Sequence, residues 1–222
     1  MITPKRTRKV LNKPPEWEAV TDYNKVLSDR HVISKDVFNH TVVSEIKVYM
    51  LVELLKSTHG IPGHIAEVGV YKGGTALLLY QHSQPSKELH LFDSFKGLQN
   101  LTEEDLLDGG EFADSKYDDV KKLFPRDRMV KFHVGLFPET STEVLNKQFS
   151  FVHVDCDLYK CVLSCCEFFY PRLSIGGMLA FDDYGDIRMR GAKQAVDEFC
   201  AENDVSMIYL TTGQCFIVRH PW

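Results

Sequence analysis

The apolar residues of this chain fall into short runs separated by segments of mixed polarity. Five of these runs are six residues long and predict buried strands, at 64–69, 88–93, 129–134, 149–154 and 176–181. Segments that predict helices follow these strands, near 75–81, 116–124, 141–146, 159–170 and 191–202. Strands that alternate with helices in this way predict a parallel sheet with right-handed crossovers.

The two ends of the chain complete the predicted architecture. Residues 1–40 are polar and contain prolines, which predicts an N-terminal tail or lid, and a helical pattern follows from Val42 to about Gly60. The last two apolar runs, 205–210 and 214–219, are joined by a short turn that predicts a hairpin. We therefore expect one α/β domain over 41–222, a three-layer sandwich with a seven-stranded, mostly parallel sheet and one antiparallel strand.

Composition excludes several classes of function. The net charge of −5 gives no basic field for a nucleic-acid backbone, and the basic cluster at 5–9 is typical of a solvated tail. The chain contains neither an apolar stretch long enough to span a membrane nor a signal-peptide pattern, which predicts a soluble, cytoplasmic protein. Its six cysteines sit mostly in apolar runs and are interpreted as buried small residues rather than a disulfide or zinc framework.

Two acidic pairs carry the first candidate chemistry. Asp155 and Asp157 follow one predicted strand, and Asp182 and Asp183 follow the next. Because the carboxyl ends of parallel strands share one edge, these four carboxylates should converge where open α/β sheets bind ligands. Like charges gathered there require a compensating cation, and an oxygen-only set such as Asp155, Asp182 and Asp183 suits magnesium. The alternative is that these acids only cap the helices that follow.

A second candidate site follows the first strand. Glu67 ends that strand and a glycine turn follows at 69–74, where backbone amides can approach a ligand, although the pattern is not G-x-G-x-x-G. Asp93 ends the second strand, where an acid can accept hydrogen bonds from the hydroxyls of a ribose. A nicotinamide cofactor and S-adenosylmethionine both contain such a ribose, but only the amino acid part of S-adenosylmethionine calls for a carboxylate like Glu67. A purely structural turn, with Asp93 capping the next helix, remains the alternative.

Six motifs then establish a resemblance. In chain order they are EVGVYKGGT, FDSFKGL, GLFPET, VDCDLY, YPRLSIGGMLAFDDYG and GAKQAVDEF. They resemble the successive motifs of the macrocin O-methyltransferase family, S-adenosylmethionine-dependent enzymes that methylate sugar hydroxyls of natural products. The resemblance extends from about residue 45 to 218. It implies a class I methyltransferase fold of Rossmann-like type, magnesium dependence, and metal ligation by Asp155, Asp182 and Asp183.

The resemblance also implies a cofactor site and an acceptor. The implied cofactor contacts are Glu67, Gly69, Tyr71, Gly73, Gly74, Thr75, Asp93, Ser94, Gly135, Phe137 and Asp155. The implied acceptor is a hydroxylated small molecule, a sugar or another compound with vicinal oxygens. Members of the family often use the N-terminal region to cover the substrate and to build oligomers, so a homo-oligomer is expected. The acidic segment 97–118 is predicted to be a loop that covers the same edge of the sheet.

One departure from a more distant relative affects the mechanism. Magnesium-dependent catechol-type methyltransferases carry a lysine base three residues after the first metal aspartate, but Leu158 occupies that position here and Lys160 has a different offset. A carboxylate is therefore the candidate base, with Asp155 first and Asp157 second. Two other functions stay open at this point, a nicotinamide-dependent oxidoreductase and a catalytically silent binding module of the same fold.

Overall fold

The architecture is a seven-stranded sheet between two layers of helices. The computed structural model describes residues 33–107, 109–124 and 129–221. In these ranges the strands are β1 His64–Val68, β2 Leu89–Asp93, β3 Val130–Val134, β4 Phe149–Val154, β5 Leu173–Phe181, β6 Met207–Tyr209 and β7 Cys215–Val218. They are ordered β3-β2-β1-β4-β5-β7-β6 across the sheet. All neighbouring pairs are parallel except the two that involve β7, so the predicted single antiparallel strand is confirmed.

Helices cover both faces of the sheet. They are α1 Lys35–Asn39, α2 Glu45–Ser57, α3 Gly74–His82, α4 Tyr117–Lys122, α5 Tyr159–Phe169 and α6 Arg190–Asn203. Apolar side chains of α2, α3 and α4 pack with one face of the sheet, and those of α5 and α6 pack with the other. Removal of this apolar surface from water is the main force that stabilises the three layers. The predicted three-layer sandwich is therefore confirmed.

The predicted boundaries hold to within about three residues, but one predicted α-helix is a 3-10 helix and α1 lies within the segment predicted to be a tail. β5 begins at Leu173, three residues before the predicted glycine-led start, because Leu173 pairs with Phe149 across a bulge in the β4–β5 register. The segment near 141–146 forms a 3-10 helix, Glu139–Val144, instead of an α-helix. Such tight turns are common as short connectors. Two further 3-10 turns, Tyr170–Arg172 and Ile187–Met189, precede β5 and α6.

The acidic segment 97–118 lies along the carboxyl edge of the sheet. Asp105 accepts a hydrogen bond from the backbone N–H of Tyr159 at 2.9 Å, so this segment caps the start of α5. Asp114 binds the Tyr71 hydroxyl at 2.8 Å and the Lys72 ammonium group at 2.6 Å, which connects the segment to the glycine turn. The described part of the segment is therefore anchored next to the candidate site, and its action as a lid stays a prediction.

Residues 1–32, and with them most of the predicted N-terminal tail or lid, lie outside the described residues. Residues from Ile33 onward form one compact unit, in which Val37 of α1 is fully buried. None of the helices in the described ranges combines the length and apolar character that a bilayer crossing requires.

Candidate active site

A cavity of about 370 Å³ opens at the carboxyl edge of the sheet. Its wall combines the ends of five parallel strands with residues from the start of α2. Of the residues predicted from sequence, the wall contains Gly69, Tyr71, Thr75, Asp93, Ser94, Gly135, Phe137, Asp155, Asp157, Asp182 and Asp183. The structure therefore brings the glycine turn and both acidic pairs to one cavity. Glu67, Gly73 and Gly74 lie outside its wall.

The glycine turn is held by Asp93. One oxygen of its carboxylate, Oδ2, accepts hydrogen bonds from the N–H groups of Val70 at 2.7 Å and Tyr71 at 2.8 Å. The other oxygen, Oδ1, accepts from the N–H of Phe95 at 2.6 Å. An ionised carboxylate has about four lone-pair positions. Roughly one therefore remains for a ribose hydroxyl, and Asp93 both orders the turn and faces the ligand space.

Three glycines of this turn are required by close packing. A Cβ atom on Gly69 would lie 1.9 Å from the carbonyl oxygen of Asp155, so the glycine turn touches the acidic strand end directly. A Cβ on Gly74 would lie 2.6 Å from the carbonyl carbon of His40, and one on Gly73 would lie 2.8 Å from Val120. Gly73 and Gly74 thus let neighbouring chain segments approach the turn, and their predicted contact with a cofactor stays a prediction.

Glu67 is paired inside the sheet. Its Oε1 accepts a hydrogen bond from Nδ1 of His153 at 2.9 Å. Burial raises the pKa of Glu67, while His153 and, to a lesser extent, the Thr75 hydroxyl oppose that shift. Its second oxygen, Oε2, is buried and has no hydrogen-bond partner among the described residues. A buried acceptor without a donor is costly, so this oxygen is suited to the amino group of a ligand.

Three carboxylates form the closest oxygen cluster of the cavity. Oxygen atoms of Asp155, Asp157 and Asp183 all lie within 4.8 Å of one another. Burial raises the pKa of Asp155 and of Asp157 well above the usual value for aspartate, and the neighbouring acids add to both shifts. Such shifts express the cost of uncompensated negative charge, which a divalent cation would remove. Hard cations such as magnesium prefer an all-oxygen set of this kind.

Asp182 is compensated by other groups. Its Oδ2 binds Nζ of Lys47 at 2.7 Å, and its Oδ1 accepts a hydrogen bond from Nε2 of Gln214 at 2.9 Å. Nζ of Lys47 also lies 3.2 Å from Oδ1 of Asp183. Burial disfavours the charged form of Asp182, but His153 and Lys47 outweigh that effect and lower its pKa. All three predicted metal ligands line the cavity, but Asp182 is paired with Lys47 and Gln214 and does not belong to the group of three carboxylates within 4.8 Å of one another. Their role as metal ligands stays a prediction.

Sequence reasoning missed two charged partners of these acids. Lys47 belongs to α2 and lies 135 residues before Asp182 in the chain. Its sequence neighbours are those of an ordinary solvent-exposed lysine on an amphipathic helix, so they gave no sign of this contact. Burial disfavours the charge on Lys47, yet Asp182 and Asp183 outweigh it and raise its pKa. His153 precedes Asp155 by two positions and lies inside β4. Because side chains two positions apart in a strand point to the same face, this spacing was the signal in the sequence that could have placed His153 near the acids.

The loop after β3 contributes an apolar part of the wall. The N–H of Gly135 donates to the carbonyl oxygen of Asp93 at 2.9 Å, which continues the β2–β3 pairing to the sheet edge. The Phe137 ring stacks on Phe169 of α5 at a centroid distance of 5.4 Å. The Ser94 hydroxyl accepts a hydrogen bond from Nε2 of Gln99 at 3.0 Å. All three predicted residues therefore border the cavity from its β2–β3 side.

Three cysteines gather at the inner end of this wall. Cys156 and Cys161 line the cavity, and the sulfur atoms of Cys156, Cys161 and Cys165 all lie within 4.8 Å of one another. The turn after β4 places Cys156 next to Cys161 and Cys165 of α5. The spacing of these residues along the sequence did not predict that contact. All six cysteines of the chain are free thiols.

Comparison with known proteins places this site in a family. The model of the macrocin-O-methyltransferase (TylF) family matches residues 18–211. Demethyldecarbamoylnovobiocin O-methyltransferase of Streptomyces niveus is 26% identical over 164 residues, which cover 67% of this chain and 62% of that protein. Mycinamicin III 3''-O-methyltransferase of Micromonospora griseorubida is 25% identical over 187 residues, 75% of this chain and 72% of that protein.

Solved structures show the same fold. The O-methyltransferase NovP superposes with a TM-score of 0.69 at 23% identity, covering 82% of each chain. TomG of Streptomyces achromogenes, an O-methyltransferase solved in complex with SAM, gives a TM-score of 0.61 at 14% identity over 92% of this chain and 99% of that one. Because the family model covers most of the sequence and its motifs meet at one cavity, the chain belongs to the macrocin-O-methyltransferase (TylF) family.

Proposed function

We propose that this protein is a magnesium-dependent O-methyltransferase that moves a methyl group from S-adenosylmethionine to a hydroxyl of a sugar or another vicinal-diol small molecule. The observation that carries the proposal is the shared cavity, whose wall contains both the glycine turn and the carboxylates of Asp155, Asp157 and Asp183. Membership of the TylF family supports the reaction type. The match spans only 62% of the first relative's length, so acceptor and partners are part of the proposal.

The residues on the donor side fit S-adenosylmethionine. Its sulfonium centre supplies the methyl group for an in-line displacement by an oxygen nucleophile. The turn residues Gly69 and Tyr71 would contact its amino acid part, with the buried Oε2 of Glu67 accepting from the ammonium group. Asp93 would use its remaining lone-pair position on a ribose hydroxyl. Alignment of donor and acceptor in one cavity accounts for a large part of such catalysis.

The residues on the acceptor side fit magnesium. When bound, this ion would supply Lewis acidity that makes an acceptor hydroxyl easier to deprotonate. Asp155, Asp182 and Asp183 would hold it, and Asp157 lies close enough to Asp155 and Asp183 to share that role. Carboxylates whose like charges repel one another in a buried site gain most from such a cation.

A carboxylate would remove the acceptor proton. Asp155 is the first candidate and Asp157 the second, and both border the cavity. Asp157 adopts a left-handed backbone conformation with φ of 62°, which costs energy for a residue other than glycine. Strain of this kind is retained where the surrounding structure fixes a side chain for function.

The first test is a screen of hydroxylated acceptors with labelled S-adenosylmethionine. We expect labelled product only with magnesium present and none after chelation, because carboxylates without the cation would not make the acceptor hydroxyl easier to deprotonate. The panel should contain sugars, cyclitols and catechol-like phenols. Product formation that persists fully in chelator would contradict the metal role.

Calorimetry separates this proposal from the other two functions. S-adenosylhomocysteine should bind and NAD should not, because the turn lacks the dinucleotide glycine pattern. Tight binding of NAD alone would indicate an oxidoreductase. Binding of S-adenosylhomocysteine without transfer to any acceptor in the panel would favour the silent binding module. Cytoplasmic location and a homo-oligomer remain further expectations, which fractionation and light scattering would check.

Replacement of Lys47 by glutamine should tighten metal binding. Lys47 places an ammonium group on Asp182 and Asp183, where it competes with a divalent cation. We expect the dissociation constant for Mn²⁺, used as a paramagnetic substitute for Mg²⁺, to fall about fivefold. Electron paramagnetic resonance of free Mn²⁺ would measure it. Lys56→Gln, at the other end of α2, is the matched control, and an unchanged or weaker affinity in Lys47→Gln would contradict the competition.

A further inference from the structure

His153 lies between the two halves of the candidate site. It belongs to β4, whose register places it beside Glu67 of β1 on one side and Ala180 of β5 on the other. Asp182 follows Ala180 by two positions and its N–H donates to the carbonyl oxygen of Val154 at 3.1 Å. Since side chains two positions apart share a face of a sheet, Glu67, His153 and Asp182 point to the same side.

The imidazole ring contacts a carboxylate at each end. Nδ1 donates to Oε1 of Glu67 at 2.9 Å, and Nε2 lies 3.9 Å from Oδ1 of Asp182, an ion-pair distance. Glu67 and His153 have no exposed surface and Asp182 is 2% exposed. Water therefore screens these contacts little, and each group affects its neighbour strongly.

Each of these carboxylates adjoins a different half of the candidate site, because Glu67 precedes Gly69 of the glycine turn by two residues and Asp182 is the neighbour of Asp183. Oε2 of Glu67, on the donor side, has no hydrogen-bond partner within the described ranges, and Nε2 of His153 has none either. On the metal side, Asp182 is held by Lys47 at 2.7 Å and Gln214 at 2.9 Å. The row of three side chains thus begins at the donor half and ends at the metal half of the cavity.

We propose that His153 is a positioning residue that couples binding of the donor to binding of the cation. This inference rests on the proposed function. The ring is rigid, so a shift toward Glu67 is a shift away from Asp182. A ligand that fixes either carboxylate also fixes the ring and, through it, the other carboxylate. The second ligand then meets an ordered group and loses less conformational entropy.

A histidine that served only to fill the core would have a different consequence. Its replacement would lower stability and both affinities together, whereas a coupling residue determines how much one ligand changes the affinity for the other. Thermodynamic linkage requires that change to be equal in both directions. The coupling itself is therefore the quantity to measure.

The wild-type protein gives the first measurement. S-adenosylhomocysteine is the probe because it lacks the sulfonium charge that would repel the metal. We expect saturating Mg²⁺ to lower its dissociation constant about fivefold in calorimetry. Saturating S-adenosylhomocysteine should lower the dissociation constant for Mn²⁺ by the same factor in electron paramagnetic resonance.

Two variants of His153 each replace the ring with a side chain that reaches only one of its two carboxylate partners. His153→Asn keeps a donor at the position of Nδ1 and loses the reach to Asp182, so binding of S-adenosylhomocysteine should persist within about threefold while the coupling falls to near one. His153→Gln places its amide nearer Asp182, so the donor affinity should weaken about tenfold. His90→Asn is the control, because His90 is equally buried in β2 but contacts His133. It should keep the full coupling.

The outcomes separate this inference from the proposed function. Absence of S-adenosylhomocysteine binding in the wild type would contradict the proposed function itself. Normal binding whose affinity Mg²⁺ leaves unchanged or weakens would overturn the coupling alone, without any variant. Full coupling in His153→Asn would overturn the role of His153. Thermal unfolding and near-UV circular dichroism identify folded variants, and if neither folds, the reciprocal wild-type measurements still decide the coupling.

Discussion

Asp183→Asn is expected to lower the turnover number about 1000-fold, which corresponds to roughly 4 kcal/mol of transition-state stabilisation. Asp183 lies on the cavity side of the acidic group and belongs to its closest oxygen cluster. Asparagine keeps the shape of the side chain but removes the charge that would hold the cation. Initial rates with labelled S-adenosylmethionine at saturating Mg²⁺ would measure the loss, once the acceptor screen has supplied a substrate.

This variant should keep the donor site. Measured without Mg²⁺, affinity for S-adenosylhomocysteine should stay within about threefold of the wild-type value, because Asp183 makes no contact with the glycine turn. Asp119→Asn is the control of equal charge, since Asp119 is on α4 and pairs with Lys122 at 2.6 Å. Full activity of Asp183→Asn in chelator would refute the metal role. Asp182→Ala should also abolish turnover, but Asp182 supports Lys47 and Gln214, so the result would mix chemistry with stability.

Gly69→Ala is expected to destabilise the fold by about 3 to 5 kcal/mol. Gly69 has φ of 90°, which disfavours any side chain, and its Cβ would lie 1.9 Å from the carbonyl oxygen of Asp155. The clash involves backbone on both sides. Relief would require β1 and β4 to separate where Asp155 donates to the carbonyl of Val68 at 2.9 Å. Urea unfolding would measure the change in the free energy of unfolding.

The same substitution should impair both halves of the site. Displacement of Asp155 would weaken Mn²⁺ binding, and distortion of the turn would weaken binding of S-adenosylhomocysteine. Gly60→Ala is the matched control, because a Cβ there meets nothing within 4 Å. Its expected change in stability is less than about 1 kcal/mol. Equal stability of the two alanine variants would show that the strands tolerate the extra atom.

Most strands and helices could be predicted from the sequence, because short local patterns of apolar residues and turns determine them. Six-residue apolar runs are too short for helices, so they formed the five parallel strands. β1, β2, β4 and β5 are buried along most of their length, whereas β3 lies at the edge of the sheet and is partly exposed. The hairpin at 211–213 fixed the antiparallel strand, since a turn of that length joins only neighbouring strands. The exceptions, the early start of β5 and the 3-10 helix at Glu139–Val144, depend on pairing and packing with distant residues.

The sequence also determined which acids would meet. Asp155, Asp157, Asp182 and Asp183 follow parallel strands, and the carboxyl ends of such strands must share an edge. Motif order alone identified the family. These conclusions need only the direction of each strand and the end at which each residue lies.

The tertiary structure decided how those acids are used. Lys47 reaches Asp182 from a helix 135 residues away, and His153 acquires its two carboxylate partners only because β4 lies between β1 and β5. Asp182 therefore became a buried group compensated by Lys47 and Gln214, and Asp183 lies 3.2 Å from the same lysine, whereas Asp155 and Asp157 repel their acidic neighbours at the cavity. Charge compensation depends on distances of a few ångströms between groups remote in sequence, which strand direction and residue spacing do not specify.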